Sequence, residues 1–250
     1  MRLASLIVVA LLVLLLFGGR LLPLLGRLGG ERVRKPVRQA KWMWATLGGS
    51  EEDVERAEAE FGAECAREFG AQFQDPVDPR MQALVQSIGE RLAGAALRPR
   101  RFSFRVVSAA MPNAFALPGG FVFVTDGLLA LCGCRPDEVA LLLSHEMAHT
   151  ALGHSRTKLM VDQVLNLMTA RAAAAGQLAR TLLSKGYSRD QEFEADEAGV
   201  RLAIRAGFDR ERGANLLRRL LERSPEQMPL AEFFATHPPM EERIARILSA

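Results

Sequence analysis

The sequence predicts an α+β fold: a mainly helical domain with a small β-sheet, preceded by an N-terminal hydrophobic helix. Three observations lead there. Apolar residues recur at helical spacing through most of the chain after Glu51. The period drops to that of a strand in two short stretches only. The first residues form an apolar run without charge. With 250 residues there is room for one substantial domain and an appendage, and a composition 49% hydrophobic and 24% charged excludes wholesale disorder.

The run Leu3 to Phe17 contains a single polar side chain, Ser5. Fifteen helical residues reach about 22 Å, short of a hydrocarbon core of roughly 30 Å. Extension to Leu25 supplies the length but includes Arg20 and Pro23, with Arg20 able to snorkel. Residues 1–25 are therefore a membrane anchor or a signal segment, and the lack of a small-x-small cleavage site after Phe17 favours the retained anchor. Residues 26–50 form a basic juxtamembrane linker, in which Arg27, Arg32, Arg34, Lys35, Arg38 and Lys41 face only Glu31. Such a run beside an apolar segment flanks a membrane. The net charge of +3 is small and no reader motif is present, so no nucleic-acid partner is expected. Counting basic residues keeps this flank in the cytoplasm, whereas a signal anchor exports everything after it. Trp42 and Trp44 suit either the headgroup level or packing against the domain.

Residues 51–250 are the folded domain. Val54, Phe61, Cys65 and Phe69 give the stretch from Glu51 to Phe73 one apolar helical face, ended by Asp75-Pro76 and Asp78-Pro79. Helical spacing resumes from Met81 to Leu92. In Arg101 to Val107 the residues Phe102, Phe104 and Val106 alternate with Ser103 and Arg105, which predicts a half-buried strand. Phe121 to Thr125 is a second strand behind the turn signal Pro118-Gly119-Gly120. Pro136-Asp137-Glu138 opens a helix. Leu159 to Leu183 is apolar but interrupted by Asp162, Arg171 and Arg180, which predicts soluble helices. Cys65, Cys132 and Cys134 are odd in number, and the close pair lacks the further ligands a zinc site needs, so idle or buried thiols are expected.

The informative segment is Leu141-Leu-Leu-Ser-His-Glu-Met-Ala-His149. On a helix, His145 and His149 project from one face a turn apart and can share one zinc. Glu146, beside the first of them, is placed to take a proton from water activated by the metal. The chain has four histidines in all, so this arrangement arises by chance in roughly one such sequence in two hundred. A buried helix with merely hydrogen-bonded histidines is the plainer alternative. A hydrolytic zinc site needs a third protein ligand and an open position. His154 lies about 140° round the helix from His149, and Gly153 marks the helix end, so His154 is expected to cap or to support. In Tyr187-Ser-Arg-Asp-Gln-Glu-Phe-Glu-Ala-Asp196, Ser188 suits a helix cap. Glu192 and Asp196 share a face, while Glu194 points about 200° away. One of the paired carboxylates can bind metal while the other orients a ligand imidazole, although acidic helix starts are commonly just solvated.

These motifs resemble the gluzincin family that includes the CAAX prenyl proteases, the heat-shock protease HtpX and the periplasmic β-barrel assembly-enhancing proteases. The resemblance rests on His145-Glu-Met-Ala-His149, on Glu192-Phe-Glu-Ala-Asp196, on Asn113 to Gly120 and on Thr236-His-Pro-Pro-Met-Glu-Glu-Arg243, a little over half the chain. It implies a zincin-like metallopeptidase domain holding one Zn2+ per chain, with Glu192 as third ligand and Asp196 supporting a zinc histidine. It also implies Glu146 as catalytic base and an exposed strand edge at Asn113, Ala114 and Phe115 that binds an extended polypeptide substrate. His237 would stabilise the oxyanion or block the metal, with Arg243 supporting it. The function implied is a zinc metalloendopeptidase in quality control of unfolded or misassembled membrane-associated proteins. The domain is expected on the extracytoplasmic, periplasmic side, anchored by the N-terminal segment, with any regulatory partner unknown. The alternatives are a latent chaperone or assembly factor on the same zinc scaffold, and a purely structural zinc site.

Overall fold

The computed structural model describes residues 42, 45, 49–73, 75–98, 100–158, 186–222 and 240–249. The expected anchor at 1–25, Trp44, the helices expected within 159–183 and His237 lie outside the described residues. Among the described residues no helix is long and apolar enough to cross a membrane. The chain divides into two compact units, 1–63 and 64–250, with the boundary inside helix α1 (Glu51–Gly70). In the first unit Trp42 is fully buried and stacks on Phe61 with ring centroids 5.0 Å apart, so of its two expected roles this Trp takes the packing one.

The second unit is helical around a three-stranded sheet. Helix α2 (Pro79–Gly94) starts on an Asp78 side chain that accepts from the Arg80 N–H, with Pro79 in the first turn. Its Val85, Ile88 and Leu92 enter the core. The strands are β1 (Ser103–Val107), β2 (Ala114–Leu117) and β3 (Phe121–Thr125), in the spatial order β1-β3-β2. β1 runs parallel to β3 in register Ser103–Phe121, and β2 is antiparallel to β3 in register Phe115–Phe123. The β2–β3 turn needs Gly120, whose φ is +85° and whose position leaves no room for a Cβ against the Arg101 carbonyl. The 120s strand matches its sequence expectation residue for residue; β2 carries no alternation because all four of its residues are buried.

Helix α3 (Asp126–Cys132) is capped by the Thr125 hydroxyl and closes on Gly133 in the left-handed region. Helix α4 (Pro136–Ala151) is buried along nearly its whole length, because sheet, α2, α5 and α6 pack around it. Helix α5 (Arg189–Arg205) opens with a full capping box between Ser188 and Gln191. Helix α6 (Arg210–Glu222) is tied to α4 by Arg219, which donates through both terminal guanidinium nitrogens to buried Glu138. Helix α7 (Met240–Ser249) completes the layer beside α5 and α6.

Two of these packings set the site. Among the described helices α4 and α5 form the most extensive pair. At their crossing Gly199 comes so close to the backbone of Ser144 and His145 that an added Cβ would stand 3.0 Å from His145 Cα. α4 also packs against β2, an edge strand of the sheet.

Candidate metal centre

α4 carries His145 and His149 one turn apart, and α5 brings Glu192 between them; all three are buried. His145 Nε2 lies 3.1 Å from His149 Nε2, and the Glu192 carboxylate oxygens stand 3.4 Å from each of these nitrogens. Ligand atoms bound at about 2.0–2.1 Å to one tetrahedral ion stand roughly 3.3 Å apart. Two imidazoles and one carboxylate at these separations fit one zinc ion, with a fourth position left to solvent or substrate.

Around them a buried polar layer orients each ligand. Asp196, one turn beyond Glu192, accepts from His145 Nδ1 at 2.9 Å. Arg243, on α7, donates to both Asp196 oxygens at 2.7 and 2.8 Å, and its other amine lies 3.9 Å from Glu192. Burial raises the Asp196 carboxyl, but the Arg243 charge and its hydrogen bonds, with those of His145, hold it well below the usual carboxylate range. For His145, burial and the Arg243 charge oppose protonation. The hydrogen bonds to Asp196 and Glu192 outweigh them and lift it to about 9 in the metal-free site. A metal must therefore displace a proton there.

Glu146 is buried beside the ligand set, and burial pushes its carboxyl up to about 7. The His145 and Arg243 charges pull against that rise, as does a backbone hydrogen bond from Ala116 on β2, while Glu192 adds to it. Glu146, His145, Asp196 and Arg243 share a small cavity whose other walls include Ala114, Leu141 and Ile247.

The structure sorts the residues expected along the strand edge. The Thr125 N–H donates to the Asn113 carbonyl, so alternation along an antiparallel ladder turns the main-chain groups of Asn113 and Phe115 toward β3. Those of Ala114 and Ala116 point to the edge that no described strand pairs. The Phe115 ring stacks on Phe123 and meets Phe69 edge-on. It belongs to the core. Arg243, expected beside His237, contacts Asp196; His237 is among the residues not described.

Three contributors, Tyr187, Glu194 and Gly199, have no such role among the sequence expectations, whereas His154 is expected to cap or to support. Tyr187 stacks on the His149 ring at 3.9 Å and 16°. His154 contacts His149, and Glu194 contacts His154. Gly199 sets the helix approach, and the spacing Glu192, Asp196, Gly199 on one face of α5 was the available signal.

Fold and site together define the ligand set of a zinc metallopeptidase: two histidines on one helix and a glutamate from another. The sequence profile of peptidase family M48 matches residues 79–250, and the chain belongs to that family. It is 31% identical over 192 residues to the mitochondrial metalloendopeptidase OMA1 of Schizosaccharomyces pombe, covering 74% of this chain and 57% of that protein. It is 27% identical over 187 residues to a putative beta-barrel assembly-enhancing protease of Vibrio cholerae, covering 67% and 38%. With the metalloprotease YcaL of Escherichia coli K12 it shares 26% over 180 residues, 67% of each chain. The chain thus spans about half the length of the first two relatives.

Proposed function

We propose that the chain is a zinc metalloendopeptidase, with Glu146 as its catalytic base, acting on unfolded or misassembled membrane-associated proteins. The observation that carries this reading is a buried glutamate adjoining a His–His–Glu set of tetrahedral spacing, beside a strand with one edge that no described strand pairs. A bound zinc ion supplies Lewis acidity, acidifying a water and polarising the scissile carbonyl. Glu146, with its carboxyl pushed up to about 7, takes and holds a proton near neutral pH and passes it to the leaving amine. Asp196, kept anionic by Arg243, fixes the His145 ring with Nε2 turned to the metal. His237 is assigned to the reaction, either steadying the oxyanion or closing the open position.

Substrate adds an extended strand along β2, meeting the main chain of Ala114 on the edge that no described strand pairs and the Asn113–Phe115 segment around it. Pairing of this kind reads backbone more than side chains, which suits unfolded chains. The names of the relatives, an assembly-enhancing protease and a mitochondrial metalloendopeptidase, support a quality-control role. In this reading residues 1–25 anchor the chain, 26–50 link, and 51–250 form the peptidase domain on the extracytoplasmic side. The test is cleavage of fluorescent casein by the full zinc-loaded chain in detergent, beside Glu146→Gln and a chelated control. Native cleavage that vanishes in both controls is expected. Native and Glu146→Gln chains that are equally inert would refute the peptidase reading in favour of a latent chaperone.

A further inference from the structure

We infer that His154 and Glu194 are positioning residues for the metal ligand His149, joined to it in a hydrogen-bond relay that fixes its tautomer and strengthens its hold on zinc. The inference rests on the metal-site reading above. On a continuous helix His154 would lie about 140° away from His149. α4 instead stops at Ala151, and Gly153, with φ +75°, reverses the backbone. Residues 154–158 begin a new helical segment, which returns His154 to the side of His149. Both rings are buried, and their Nδ1 atoms are 3.0 Å apart.

That contact has one direction consistent with a metal. His149 Nε2 faces His145 Nε2 at 3.1 Å and Glu192 at 3.4 Å, so as a ligand it must present a lone pair there. Its hydrogen is then on Nδ1, which donates to His154 Nδ1. His154 in turn carries its hydrogen on Nε2, which donates to Glu194 Oε2 at 3.1 Å. The Glu194 carboxylate thereby polarises His154 as an acceptor, and His154 does the same for His149. His145 receives equivalent support in one step from Asp196. The stacked Tyr187 ring holds His149 in plane for the contact. Glu194, which points away from the metal on α5, thus acts on it through two rings.

The test is zinc affinity of the full chain, measured by competition with a chromogenic chelator, beside melting of each metal-free variant. His154→Leu removes the acceptor and is expected to weaken zinc about ten- to a hundredfold with little change in metal-free melting. His154→Asn, whose amide oxygen occupies nearly the place of Nδ1, is expected to recover most of that loss. Glu194→Ala should weaken zinc in the native background and add nothing once His154 is Leu. Native affinity in His154→Leu, Asn no better than Leu, or additive losses for Glu194 and His154 would each overturn the relay. If His154→Leu does not fold, Glu194→Ala decides: unchanged affinity in this exposed-site variant overturns the relay. Tight native zinc binding without cleavage would sink the peptidase reading alone, and a native chain that binds no zinc would overturn both.

Discussion

Replacing Gly199 with alanine tests whether the metal site depends on the closeness of α4 and α5. The new Cβ would sit 3.0 Å from both Cα and N of His145 and 3.1 Å from the Ser144 carbonyl carbon, so the helices must part by a few tenths of an ångström. Only backbone lies opposite, and no flexible side chain can yield. Alanine in a helix interior gains about 1 kcal/mol over glycine. Overpacking of this kind costs about 1–3 kcal/mol. The net expectation for the metal-free chain is a loss between zero and about 2 kcal/mol. The zinc-bound form should lose more, because His145 and His149 are on one side of the opened joint and Glu192 on the other. Metal–ligand distances tolerate only about 0.2 Å, so a zinc affinity at least about tenfold weaker is expected, or about 1.4 kcal/mol. Thermal melting with and without zinc, together with chelator competition, separates the two losses. A Gly199→Ala chain as stable as the native one in both states, with native zinc affinity, would refute the reasoning.

Two further outcomes are expected. Arg243→Met leaves buried Asp196 without its bidentate partner, and loss of one member of such a pair costs about 3–5 kcal/mol. Urea unfolding of the metal-free variant should show it, and a loss below about 1 kcal/mol would mean that His145 alone satisfies Asp196. Of the three cysteines, Cys65 and Cys132 are fully buried, and burial pushes both thiols up to about 12. A thiol reagent at pH 8 should therefore label Cys134 alone in the native chain and all three after denaturation. Rapid native labelling of Cys132 would show that α3 is not packed as described.

What was legible in the sequence was local. The one-turn spacing of His145 and His149, the Ser188 cap, the start of α4 at Pro136 and the alternation in β1 follow from rules that act within about one helical turn or one pleat. Backbone hydrogen bonding has that range, so the residues that obey it are sequence neighbours. The two histidine ligands were legible for the same reason: imidazoles one turn apart on a helix can reach one zinc.

The sequence by itself thus determined two metal ligands, the neighbouring carboxylate, and the helix that bears a third. Only the tertiary structure decided how these ligands are oriented. Glu192 faces the histidines because Gly199 lets α5 lie against α4, and Glu194 reaches His154 because α4 breaks at Gly153. Arg243 meets Asp196 from 47 residues away, and Ala114 lies on an edge that no described strand pairs because β2 joins the sheet outside β3. Each of these pairings is settled by which faces are buried together. Burial depends on the whole core, and no spacing within one segment encodes it.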